Sequence, residues 1–196
     1  SIVRTPPYSL AVALSSALDI SDADTAAKAL LTATREDQVA FLRALIAHEF
    51  ASNAAHPAQI GRAQSLSSRA LGAHARHIGG DYLRSRVGPL VAELIALPRA
   101  LEVDPARLQD NSGIALAEAN IRLLSEWLIR CVDALTAEAS TTSYAPLPHQ
   151  MRLLLTEMSQ QADSMNMDDS LRTSLIGGYL ILRFIGPTIV APEAHG

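Results

Sequence analysis

Gly177–Pro192 reads GGYLILRFIGPTIVAP, an apolar run in which Arg183 is the one charged residue and Pro187 the first proline. A guanidinium in such surroundings has to be paired, extended to solvent or functional, because burying an unpaired charge is costly. Its planar fork can grip several backbone carbonyls or a carboxylate at once, so Arg183 is expected to pin a neighbouring loop to this helix. Asp168-Asp169 supplies an acidic first turn, and the helix is expected to run to about Ile185 and stop before Pro187.

Working outward, the rest of the chain reads as helices. Ser9–Leu18 and Asp22–Ala33 are short amphipathic segments, the second capped by Ser21 or Asp22. Arg35–Ala51 follows with Thr34 as its cap and Val39, Leu42, Leu45, Ile46 and Phe50 as a buried stripe. Pro57 and Gly61 break the pattern over Asn53–Gln64, and Ser65 caps a helix through His77. Gly79-Gly80 marks a break, and Asp81–Leu97 is a helix interrupted near Gly88-Pro89. Pro98–Ser112 connects, with one helical turn at most. Ile114–Ala139 is the clearest helix, with Ile114, Ala117, Ile121, Leu124, Leu128, Cys131 and Leu135 facing the core. A Ser/Thr/Pro linker, Ser140–Pro148, leads to His149–Gln161, with Met151, Leu154, Leu155 and Met158 inward.

The composition agrees with this pattern. Hydrophobic residues make up 48% and aromatic residues only 4%, so the core is built from Ala, Leu, Ile and Val, which favours helix packing over a sandwich. Strand and hairpin signatures are almost absent. A length of 196 residues supports a single all-α, multi-helix domain with no linker long enough to divide it. The lone Cys131 excludes an internal disulfide framework and fits a reducing compartment, and on the core stripe it reads as an inert thiol. No charged-then-apolar leader is evident, and Ser1 in place of Met suggests a processed or trimmed chain. The longest apolar run, Leu175–Val190, is about 16 residues with Arg183 inside it, too short and too charged for a membrane span.

A net charge of −4 argues against nucleic acid as a partner. Between Ala51 and Ala92, however, Arg62, Arg69, Arg76, Arg84 and Arg86 face a single acid, Asp81. This window reads either as a positive face for an acidic partner or phosphate, or as a solvated helix face. His74 and His77 share a helix at a spacing one metal could use, but only Asp81 is near, and a polar helix face is the plainer reading. Trp127 reads as packing. There is no GxxxxGK[ST] loop, no GxGxxG after a strand, no GxSxG and no HExxH, so no nucleotide cofactor of its own is expected. Arg62 stands apart, since an arginine on a Pro/Gly-punctuated loop above Arg69 and Arg76 suits delivery of charge to a partner's phosphate.

These residues together resemble a known family, the catalytic domain of Ras GTPase-activating proteins, in particular its neurofibromin-like members. Ile60-Gly61-Arg62-Ala63-Gln64-Ser65-Leu66-Ser67-Ser68-Arg69 resembles the arginine-finger segment of that family. Glu102-Val103-Asp104-Pro105-Ala106-Arg107-Leu108 resembles a second motif, and Ile181-Leu182-Arg183-Phe184-Ile185-Gly186-Pro187-Thr188-Ile189-Val190-Ala191-Pro192 a third. The resemblance spans roughly residues 47–196, the catalytic core with a finger loop at 57–65, whereas residues 1–45 match only in being helical. Family domains continue with further helices, so the resemblance implies that C-terminal helices are lacking here.

The resemblance implies a GTPase activator without independent catalytic activity. Its partner would be a Ras-like small GTPase in its GTP state, with GTP and magnesium belonging to that partner. Arg62 would be the finger and Arg183 the brace of the finger loop. Gly61, Ala63, Arg69, Arg76, Leu182, Pro187 and Thr188 would meet the partner, with Leu182 lining the GTPase groove. The expected place of action is cytoplasmic, at the inner face of membranes, reached through the GTPase or flanking domains. Ile60-Gly61 stands where the family has Leu-Phe, Ala63-Gln64 where it has Gly-Asn, Ile181 where it has Phe, Gly186 where it has Asn, and Arg69 where it has Lys. A second reading is a non-catalytic helical module of the same fold that binds a GTPase or scaffold partner.

Overall fold

The computed structural model describes residues 8, 12–13, 22–61, 65–108, 113–138 and 144–191. All regular structure among them is helical. In chain order the elements are α1 (Ala23–Ala33), α2 (Gln38–Ser52), a 3-10 turn (Pro57–Gln59), α3 (Leu66–Ile78), α4 (Gly80–Arg86), α5 (Gly88–Ile95), a second 3-10 turn (Pro105–Arg107), α6 (Gly113–Thr136), α7 (His149–Ser164), α8 (Asp169–Gly178), a π-helical stretch (Tyr179–Ile185) and α9 (Gly186–Val190). Most of the Ser9–Leu18 segment, and Arg62, Ala63, Gln64 and Pro192, lie outside the described residues.

Helix starts follow the capping chemistry where a side chain is free to turn back. Ser65 is extended (φ −73°, ψ 161°) and its Oγ accepts the Ser68 N–H at 3.1 Å, while Asp168 accepts the Leu171 N–H at 2.7 Å. Asp22 occupies the cap position of α1 without making that bond. Thr34 does not cap α2. Its hydroxyl and its N–H both donate to Leu30 O, at 2.8 and 2.9 Å, so it closes α1, and α2 opens after Asp37.

The residues group into two compact units, one formed by Ser1–Gly80 with Leu147–Gly196 and the other by Asp81–Pro146, in a chain whose sequence carries no obvious divider. In the first unit α1 and α2 pack on α3, α2 also packs on α7, and the π-helical stretch lies against α3. Phe41, Leu42, Leu45, Ile46, Met151, Leu154 and Phe184 are essentially inaccessible and form its core. Gly79, just past the end of α3, admits the π-helical stretch: a Cβ there would lie 2.3 Å from the Phe184 ring, whereas one on Gly72 would be in ordinary contact, 3.5 Å from the Arg183 backbone oxygen. Phe184 therefore fills the space a side chain at position 79 would need.

The second unit corrects the reading of α6. Its buried face is Gly113, Ala117, Asn120, Trp127, Cys131 and Ala134, whereas Ile114, Ile121 and Leu128 are exposed. Polar anchors turn the helix to this face: Trp127 Nε1 donates to Leu90 O at 2.7 Å and Asn120 Nδ2 to Glu102 O at 2.6 Å. Cys131 is buried, and burial raises its thiol pKa, with Arg130 opposing the effect.

The end of the chain corrects a second expectation. The helix does not stop before Pro187; Asp169–Val190 is one continuous helical run of 22 residues. The π-helical turns absorb the proline, with Gly186 N–H bonding Ile181 O, a five-residue step. A Cβ on Gly186 would lie 2.6 Å from that oxygen, which gives glycine its place there. By length and composition the run is long and apolar enough to cross a membrane, so the argument from shortness fails. Tyr179, Phe184 and Ile185 are nonetheless buried against the protein's own helices.

Candidate functional site

The site is organised around Glu49, near the end of α2. Leu42, Leu45, Ile46 and Phe50 put that helix face into the core, and Glu49 lies on the same face at 7% exposure. A carboxylate there needs donors, and the segment 12 to 16 residues further on supplies them. Glu49 Oε1 accepts the Gly61 N–H at 2.9 Å, and Oε2 accepts the Ser65 hydroxyl at 3.2 Å. Gly61 adopts φ +72°, a left-handed conformation that glycine reaches at little cost, and a Cβ there would meet Leu175 Cδ1 at 3.3 Å. Glycine is thus the residue that this backbone conformation favours at position 61.

Arg183 comes to the same place from the π-helical stretch. A cavity of about 20 Å³, room for a single water, is lined by Glu49, Gly61, Ser68, Tyr179 and Arg183 among others. Burial lowers the Arg183 pKa, the charge of Arg69 adds to this, Glu49 opposes it, and Arg76 lowers it further. The backbone of Arg183 is held separately. Pro187 has no N–H to give the carbonyl four residues back, and Arg76 Nη1 donates to that oxygen at 3.2 Å.

Leu182, 61% exposed, projects beside an open groove of about 210 Å³ that Pro57, Ala58, Gly61, Leu171 and Ser174 also line. Gly61, Leu182 and Arg183 are therefore brought together. Pro187 and Thr188 lie one turn on, half-buried, with the Thr188 hydroxyl donating to Phe184 O at 3.2 Å. Arg62 and Ala63 are expected site residues outside the described set, bracketed in the chain by Gly61 and Ser65.

The basic window looks different once folded. Arg69 pairs with Asp24 at 2.8 Å, Arg76 serves the Arg183 carbonyl, Arg84 pairs with Asp81 at 2.6 Å, and Arg86 is buried. The four described arginines of this window all have partners inside the protein, Arg84 in an exposed pair on its own helix and Arg86 in a buried setting. His74 is likewise no surface residue: it is 1% exposed with Nδ1 3.1 Å from Gln38 Oε1, and burial lowers its pKa.

Glu49 was the residue that sequence reasoning passed over. Its signal was present: a carboxylate at the i+3 position after Ile46, on the apolar stripe itself, where a solvated glutamate does not belong.

The family model described as GTPase-activator protein for Ras-like GTPase matches residues 41–196. A GTPase-activating protein of Drosophila melanogaster is 25% identical over 162 residues, 82% of this chain and 13% of the relative. A probable Ras GTPase-activating-like protein, ngap, of Dictyostelium discoideum is 26% identical over 152 residues, 78% of this chain and 16% of the relative. Neurofibromin-A of Dictyostelium discoideum is 26% identical over 191 residues, 90% of this chain and 20% of the relative. The chain thus spans between 13 and 20% of the length of these curated relatives. The family match covers most of the chain and both sides of the Glu49–Gly61–Arg183 site, and the chain belongs to the Ras GTPase-activating protein family.

Proposed function

We propose that this chain accelerates GTP hydrolysis by a Ras-like small GTPase in its GTP state, with Arg62 delivered in trans to the γ-phosphate. The observation that carries the reading is that both flanks of Arg62, Gly61 and Ser65, are hydrogen-bonded to one buried carboxylate beside Arg183. A residue between two such fixed points can be offered to a partner in a set pose. GTP and magnesium come with the GTPase, which also supplies the attacking water. As that water attacks, negative charge spreads over the phosphoryl oxygens, and a guanidinium arriving there stabilises the charge while displacing solvent. Arg183 acts in this scheme as the brace, since it sits at the base of the loop, and Leu182 offers an apolar contact at the mouth of the groove. The place of action follows the partner, at the cytoplasmic face of a membrane that holds the GTPase.

Single-turnover GTP hydrolysis with a panel of Ras-like GTPases tests this. The expected acceleration for an arginine finger is about 10³- to 10⁵-fold, and Arg62→Ala should remove most of it. An unchanged acceleration in Arg62→Ala sinks the finger assignment. Binding to a GTPase with no acceleration by the wild-type chain would instead favour the non-catalytic module, a reading to which the internal engagement of Arg69 and Arg76 lends support.

A further inference from the structure

Taking Arg62 as the finger, we propose that Glu49 is a positioning residue for the reaction: it fixes both ends of the Gly61–Ser65 segment and so sets the pose from which Arg62 is delivered. The proposal rests on the functional reading above and adds to it a residue that touches neither GTPase nor nucleotide.

Three observations carry it. First, Glu49 is buried on the core stripe of α2, whose position is set by Leu45, Ile46 and Phe50, so the carboxylate is a fixed point. Second, its two oxygens go to different ends of the segment, Oε1 to the Gly61 N–H at 2.9 Å and Oε2 to the Ser65 hydroxyl at 3.2 Å. Ser65 Oγ also accepts the Ser68 N–H at 3.1 Å, so the same bond chain continues into the first turn of α3. Third, the contact at Gly61 is to backbone, in a left-handed conformation that glycine alone adopts readily, so glycine at 61 and glutamate at 49 form one device. Arg183 lines the same small cavity, where its charge and that of Glu49 are opposite.

A clamp of this kind acts on the finger segment, and of the residues expected to meet the GTPase it leaves Arg69, Arg76, Leu182, Pro187 and Thr188 in place. Glu49→Ala should therefore lower the maximal acceleration by about 10- to 100-fold while the half-saturating activator concentration stays within about two-fold. Amide exchange over residues 57–66 should rise in the same variant, with α2 and α3 keeping their protection. Glu49→Gln keeps the volume and an acceptor for Gly61 N–H, so it should recover most of the protection and most of the rate. Both measurements are made on the full chain. Wild-type exchange and wild-type maximal rate in Glu49→Ala overturn the clamp, even where Arg62→Ala is inactive and the finger stands. Raised exchange with an unchanged maximal rate overturns the positioning role. Raised exchange in a chain whose wild type accelerates no GTPase removes the functional reading and keeps the clamp as a feature of the loop.

Discussion

Arg86 and Arg183 are both drawn in from solvent, wholly or in part, yet different groups surround them. Arg86 is 3% exposed, and its guanidinium donates to four carbonyls of its own unit: Ala134 at 2.6 Å, Leu135 at 3.3 Å, Ala137 at 2.8 Å and Ala145 at 3.1 Å. It also lies over the rings of Tyr82 and Tyr144, at 4.8 and 5.1 Å. Those carbonyls include the orphan acceptors at the end of α6, where a cation is favoured. Arg183 instead shares its surroundings with Arg69 and Arg76, and burial works against its charge. An arginine that saturates the carbonyls of a helix end is explained by the fold. One that persists among like charges beside a loop-holding carboxylate is better explained by the site.

The largest expected effect breaks or keeps the first half of this comparison. Arg86→Ala removes this donor from Ala134, Ala137 and Ala145, while Leu135 O keeps the Tyr82 hydroxyl at 2.9 Å, and urea unfolding should report a loss of about 3–5 kcal/mol. Arg86→Lys should recover less than half of it, because one ammonium cannot reach the carbonyls that the guanidinium fork spans. A loss below about 1 kcal/mol would show that Arg86 is not what closes α6.

Arg183→Ala tests the other half. Its stability cost should stay well below that of Arg86→Ala, because relief from Arg69 and Arg76 offsets part of the lost opposite charge beside Glu49, while the maximal GTPase acceleration falls by about 100-fold through misplacement of the loop. Unfolding as severe as that of Arg86→Ala would make both arginines structural and erase the distinction drawn between them.

The two arginines also mark how far the sequence could be read. Arg183 stood out because its neighbours are all apolar. Arg86 looked like one more member of a basic window, since nothing local reveals that Ala134 and Ala145 will approach from about 50 to 60 residues away. Short-range chemistry was legible: Ser65 caps its helix, Asp169 lies in an acidic first turn with Asp168 one position earlier as the cap, and Gly79 ends α3. Tertiary choices were not. α6 carries apolar residues on more than one face, and hydrogen bonds from Asn120 and Trp127, rather than the count of leucines, decide which face turns inward. In the site, Arg62 and Arg183 could be named through family resemblance, whereas Glu49 could be recognised only by treating a carboxylate on a core stripe as a demand for donors.

The smallest predicted effect concerns how the backbone of Arg183 is held. Pro187 cannot donate to the Arg183 carbonyl, and Arg76 Nη1 does so at 3.2 Å. Arg76→Met should therefore cost about 1 kcal/mol, the net worth of one partly buried hydrogen bond. It also removes a like charge near Arg183, which blurs the single measurement. A double-mutant cycle with Pro187→Ala separates the two, because charge relief is common to both backgrounds whereas the carbonyl's need is not. With an N–H restored at position 187, the loss from Arg76→Met should shrink, a coupling of about 0.5–1 kcal/mol by urea unfolding. The altered unfolded-state entropy of Pro187→Ala also cancels in the cycle. A coupling of zero would mean that Arg76 does not substitute for the missing donor. The π-helical stretch would then be seated by Phe184 in the space left at Gly79, and the brace would depend on that packing alone.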